Sequence, residues 1–139
     1  MSLALAEKDG TVIYTAANAS GVLGYVAINS TVRGKSCGGL RMLPDVSADE
    51  IAGLARAMTL KYGFLRLPQG GAKAGVLGDP EAPEEERYAR LEEFGREIAG
   101  LLRTKAFVPG IESHLSAATR RSFQRTEDTI TRRRRRSTG

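Results

Sequence analysis

The sequence predicts an α/β domain, a three-layer αβα arrangement around a small mixed, partly parallel sheet. Three observations carry that expectation. Short β-rich runs alternate with two helical patterns. Glycine-rich segments join them. A chain of 139 residues is long enough for one domain with a sizeable core.

Taken in order, Thr11–Thr15 and Gly24–Asn29 are rich in β-branched and aromatic residues, and the turn-prone Asn18-Ala19-Ser20-Gly21 separates them. Both read as strands. Gly34–Gly39 breaks that pattern, and Leu40–Leu43 is a short extended piece closed by Pro44-Asp45. Ser47-Ala48-Asp49-Glu50 has the form of a capping box and opens a helix. Behind it Ile51, Leu54, Ala55, Met58 and Tyr62 form one apolar stripe. Leu60 lies opposite the stripe, so the helix is expected to be buried on more than one side. Lys61 falls at the margin of the buried face, in the last turn. It either complements the helix dipole or reaches into a cleft.

Leu67–Gly75 is a glycine-rich loop around a single lysine, Lys73. Glycines at this density permit positive φ and close backbone approach. Two readings fit: a turn with a solvated lysine, or an amine on a packed floor whose pKa burial lowers into a useful range for proton transfer. Ala74–Gly78 then reads as a short strand. A second helix begins near Pro83, suited to the first helical position, with Glu84, Glu85 and Glu86 in its first turn. Tyr88, Leu91, Ile98 and Leu102 carry its stripe, and Glu86–Arg90 and Glu92–Arg96 are spaced for ion pairs. Ala106–Val108 is the last expected strand.

The domain is expected to span residues 1–110, which hold 13 Lys+Arg and 13 Asp+Glu. Residues 111–139 carry the whole net charge of +5, including the run Arg132–Arg136. That tail has no apolar periodicity and is expected to be disordered. Eight arginines there would give salt-sensitive, sequence-blind contact with nucleic acid, on the order of 10⁻⁴ to 10⁻⁶ M. With 6% aromatic residues and no tryptophan, base stacking is poorly supplied. No apolar run is long enough to span a membrane, and the N-terminus lacks the basic start of a signal peptide. The one cysteine, Cys37, suits a reducing cytoplasm; it reads either as a small buried hydrophobe or as a reactive thiol.

Two motifs in a fixed order carry a resemblance. Gly38-Gly39-Leu40-Arg41-Met42 precedes a capped helix ending Met58-Thr59-Leu60-Lys61, and Leu67-Pro68-Gln69-Gly70-Gly71-Ala72-Lys73 follows. From about Gly24 to Gly110 the chain resembles the N-terminal, substrate-binding and dimerisation domain of the glutamate/leucine/phenylalanine/valine dehydrogenases. The resemblance implies oxidative deamination of an L-amino acid to a 2-oxo acid, with hydride passing to NAD or NADP. It assigns Lys73 as the catalytic amine that activates water, Lys61 as the ligand of the substrate α-carboxylate, and Gly38 and Gly39 as the lining of the cleft. It also implies a homo-oligomer. Two neighbouring ammonium groups, Lys61 and Lys73, would each disfavour the other's charge.

Three departures qualify that resemblance. Cys37 stands where glutamate-specific members carry a lysine for the substrate's side-chain carboxylate; Lys35, two residues away, is a possible substitute. Glu112 stands in the place of a proton-handling aspartate, and the pattern after it is lost. His114, the only histidine, has no partner spacing for metal or triad chemistry. The strand–Gly-x-Gly-x-x-Gly–helix signature of a dinucleotide site is absent. The chain therefore reads as a truncated or fragmentary N-terminal domain, without a bound cofactor and inactive alone. A non-catalytic oligomerisation module is the alternative.

Overall fold

The computed structural model describes residues 2–110. Its elements in chain order are β1 (Ser2–Lys8), β2 (Thr11–Asn18), β3 (Gly21–Ile28), β4 (Ser36–Gly38), β5 (Leu40–Leu43), α1 (Ala48–Phe64), β6 (Gly70–Leu77), α2 (Glu84–Glu97), α3 (Ala99–Thr104) and β7 (Val108–Pro109). The strands form one sheet in the order β1-β2-β3-β6-β4-β7, with β5 also paired to β6. β1, β2, β3 and β6 pair antiparallel in succession, while β4 and β5 are parallel to β6 and β7 is parallel to β4. The sheet is thus mixed and partly parallel, as expected.

The first hairpin turns at Asp9 and Gly10, both at positive φ (50° and 80°), the geometry that matches strand twist in a two-residue connection. β1 is an element the sequence reading missed, although Asp-Gly between two short runs is its signal. At the next turn the Asn18 side chain accepts a hydrogen bond from Ser20 N (2.9 Å), and Gly21 takes φ 118°.

Helices cover both faces. On one face Leu23, Val26 and Val76 pack with Leu91, Phe94 and Leu102 of α2 and α3. On the other, Ile51 and Ala55 of α1 pack with Ile13 and Ala27. α1 is capped as the sequence predicts: the Ser47 hydroxyl accepts from Glu50 N at 3.2 Å. Its burial is one-sided, however. Leu60 is 66% exposed, so the expectation of burial on a second side fails; α1 lies on the outside of the sheet with nothing above it among the described residues. The second helix is two pieces, broken at Ile98 (φ −97°, ψ 13°), and Pro83 is its N-cap rather than its first residue. Arg90, expected to pair with Glu86, donates from Nε to the Leu77 carbonyl (2.8 Å) and lies 4.0 Å from Glu93.

The largest correction concerns the glycine-rich segment. Gly70–Leu77 is one strand in the middle of the sheet, not a loop followed by a short strand. Its glycines serve close approach rather than positive φ. A Cβ on Gly71 would lie 2.2 Å from Thr59 N, and one on Gly75 would lie 2.6 Å from Ile51 Cδ1. α1 lies so close over β6 that its backbone and side chains occupy the volume a side chain would need.

Candidate functional site

Lys73 is the fourth residue of β6, flanked by Ala27 on β3 and, across the other edge, by the β4–β5 line. That line keeps one register along β6: Cys37 opposes Gly71 and Leu40 opposes Ala74. Gly39 bridges the two strands, its carbonyl accepting from Ala74 N at 3.0 Å. Side chains of a strand alternate between faces. Gly71, Lys73 and Gly75 therefore share the α1 face, while Ala72, Ala74 and Val76 point to the α2 core.

Half-buried beneath α1, between the levels of Ile51 and Thr59, the Lys73 side chain leans toward the neighbouring strand. A Cβ on Gly39 would stand 2.9 Å from its Nζ. Gly38 is tighter still: a Cβ there would overlap the Ala72 carbonyl oxygen at 1.6 Å. Gly38 O also accepts from Gly110 N (2.6 Å), which ties the strand after α3 to the glycine pair. Both glycines are buried, and Gly39 is the one that faces the amine. Burial first, and then the nearby Arg41 guanidinium, hold the Lys73 pKa below the usual lysine range.

Lys61 lies on the exposed side of the last turn of α1. Its neighbour Tyr62 is buried and donates its hydroxyl to the Cys37 carbonyl at 3.2 Å. This bond fixes the end of α1 over the strand that leads into Gly38-Gly39, while the Lys61 side chain beside it is exposed. The cation that acts on Lys73 is Arg41, not Lys61 as the sequence suggested. Arg41 was read only as part of a motif. Its Nη1 donates to Glu50 Oε1 at 2.9 Å, and that carboxylate was assigned to helix capping alone. Nothing in a nine-residue separation across a turn signals such a pair.

Beside the glycine pair is a half-open cavity of about 500 Å³ lined by Val32, Lys35, Cys37, Pro68, Gly70 and Val108, among others. Lys35 and Cys37 share this cavity, but Gly38, Gly39, Lys61 and Lys73 are not among its lining residues. Glu112 and His114 lie outside the described residues, as does the arginine-rich segment. Among the described residues no cluster of His, Cys, Asp and Glu could hold a metal, and no helix is long and apolar enough to cross a membrane.

The dimerisation-domain family of the Glu/Leu/Phe/Val dehydrogenases matches residues 10–125, beyond both ends of the segment the motifs marked out. NAD-specific glutamate dehydrogenase A of Halobacterium salinarum is 37% identical over 111 residues, covering 78% of this chain and 24% of that protein. Glutamate dehydrogenase from Peptoniphilus asaccharolyticus superposes with a TM-score of 0.73 at 26% identity, covering 88% of this chain and 33% of the other. The hetero-hexameric glutamate dehydrogenase of Thermus thermophilus, in its Leu-bound form, gives 0.71 at 26% identity, with 87% and 30% covered. The chain therefore spans about a quarter of the length of that curated relative.

Proposed function

The chain belongs to the Glu/Leu/Phe/Val dehydrogenase family, and from that premise we propose that residues 1–110 form the substrate-binding and dimerisation part of an amino-acid dehydrogenase. The reaction is oxidative deamination of an L-amino acid to a 2-oxo acid with release of ammonia. Residues 111–139 carry the whole net charge of +5, and the family match runs into them as far as residue 125. The lone cysteine fits a cytoplasmic protein.

The observation that carries this reading is the environment of Lys73. A half-buried amine set against a glycine, its pKa held below the usual lysine range, yields its neutral form more readily than a free lysine does. In that form it accepts a proton from the water that adds to the substrate carbon. Protonated, it stabilises negative charge developing on the added oxygen. Gly38 lets its strand close on Ala72, Gly39 lets the Lys73 amine come against the backbone, and the Lys61 ammonium, exposed in the last turn of α1, takes the α-carboxylate.

NAD or NADP does not fit the described residues. A dinucleotide pyrophosphate needs a helix N-terminus free of negative charge. α1 begins with Asp49 and Glu50 in its first turn, and α2 with Glu84, Glu85 and Glu86. Both would repel the phosphates. Hydride transfer is therefore not assigned to these residues; a separate nucleotide-binding domain supplies it.

Two measurements on the purified 139-residue chain test the reading. L-amino acids and their 2-oxo acids should perturb the NMR signals of Gly39 and Lys73, and Lys73→Met and Lys61→Met should abolish the effect. Incubation with NAD⁺ or NADP⁺ and an amino-acid panel should give no turnover. Steady turnover, or binding indifferent to Lys73, would overturn it.

A second reading, self-association without catalysis, is favoured by β1. Its outer edge is unpaired among the described residues and Leu5 on it is 63% exposed, the kind of edge that pairs with another chain. Sedimentation should show a dimer that Leu5→Lys weakens.

A further inference from the structure

We propose that the Arg41–Glu50 pair is a positioning device for the Lys73 amine: Glu50 on α1 fixes the Arg41 guanidinium on the face of the sheet that Lys73 occupies. The proposal rests on the reading of Lys73 as the working amine. Its geometry is independent of that reading.

Gly39 and Arg41 lie two residues apart on the β4–β5 line and so point to the same face. Lys73 Nζ reaches Gly39, and Arg41 opposes Gly75, the next residue of β6 on that face. At Gly75 the side chains of Val46 and Ile51 fill the place of a β-carbon. Above the two cations Glu50 is held twice. Its backbone N–H is capped by Ser47, and the adjacent Ile51 is packed against Gly75. The carboxylate then receives Arg41 Nη1 at 2.9 Å. Both side chains are more than a third exposed (45% and 36%), so the pair adds little to stability. Its effect is directional: a fixed positive charge beside an amine favours that amine's neutral form. The lowered pKa of Lys73, with Arg41 as its second cause after burial, agrees with this placement. The other ionisable groups on the elements around Lys73 are Asp49, Arg56, Lys61 and Tyr62 on α1, Cys37 on β4 and Tyr25 on β3.

The test is an NMR titration of the full chain with ¹³C-labelled lysine, the Lys73 signal being assigned by its loss in Lys73→Met. Arg41→Gln should raise the Lys73 midpoint by about half a pH unit, the size expected for removing one nearby, partly screened charge. Arg41→Lys should restore the wild-type value. Glu50→Gln keeps an acceptor for the guanidinium but removes the compensating charge, so it should lower the midpoint. A change below about 0.2 unit in folded Arg41→Gln, or a rise in Glu50→Gln, would overturn the proposal. Failure of the catalytic reading shows separately, as substrate binding unaffected by Lys73→Met.

Discussion

The amine of Lys73 and the α-carbon of Gly39 face each other across adjacent strands with no room for a methyl group: a β-carbon at 39 would sit 2.9 Å from Nζ. The obstructing atom is the far end of a flexible side chain, and Gly39 is not at positive φ. Gly39→Ala should therefore fold, losing less than about 1 kcal/mol. It should nonetheless displace the amine and weaken 2-oxo acid binding about tenfold, since positioning errors near 1 Å are costly. Calorimetry and denaturant titration together check both halves.

Gly71→Ala should behave in the opposite way. Its new carbon would meet Thr59 N at 2.2 Å and the Ala55 carbonyl at 2.7 Å, backbone atoms that cannot swing aside. α1 must lift from β6, and a loss of about 3 kcal/mol is expected. A urea midpoint equal to wild type would contradict the close helix–strand contact.

Lys73→Met should change how stability depends on pH. Folding lowers the affinity of Lys73 for its proton. Between the folded midpoint and the unfolded value of about 10.4, the unfolded chain binds more protons, so stability from this group rises as pH rises. The penalty is full below the folded midpoint and gone above the unfolded one. The variant should thus gain most on wild type at neutral pH, with the difference fading toward pH 11. Parallel stability curves from pH 7 to 11 would contradict the burial of a protonated amine.

Ser47→Ala removes the oxygen that accepts from Glu50 N and should cost about 1 kcal/mol. It should also loosen Glu50, so Arg41 becomes more mobile in relaxation measurements while the sheet stays intact.

Much of this was legible from short-range patterns. The Ser47 cap, the stripe of α1 around Ile51 and Ala55, and the turn at Asn18–Gly21 depend on residues within a few positions of one another. The Lys73 segment was misread as a loop because glycine density means both turns and close packing, and only the presence of α1 above it decides between them. β1 was missed because Ser2–Lys8 becomes a strand by pairing with Thr11–Ala17.

By itself, then, the sequence determined the α/β class and the capped helix, since local hydrogen bonds and periodicity encode these directly. Tertiary structure decided that Lys73 stands on a central strand, that its charged neighbour is Arg41 rather than Lys61, and that Glu50 serves that arginine as well as the helix. Those facts arise from contacts between segments far apart in the chain. They exist only once sheet register and helix packing bring the segments together.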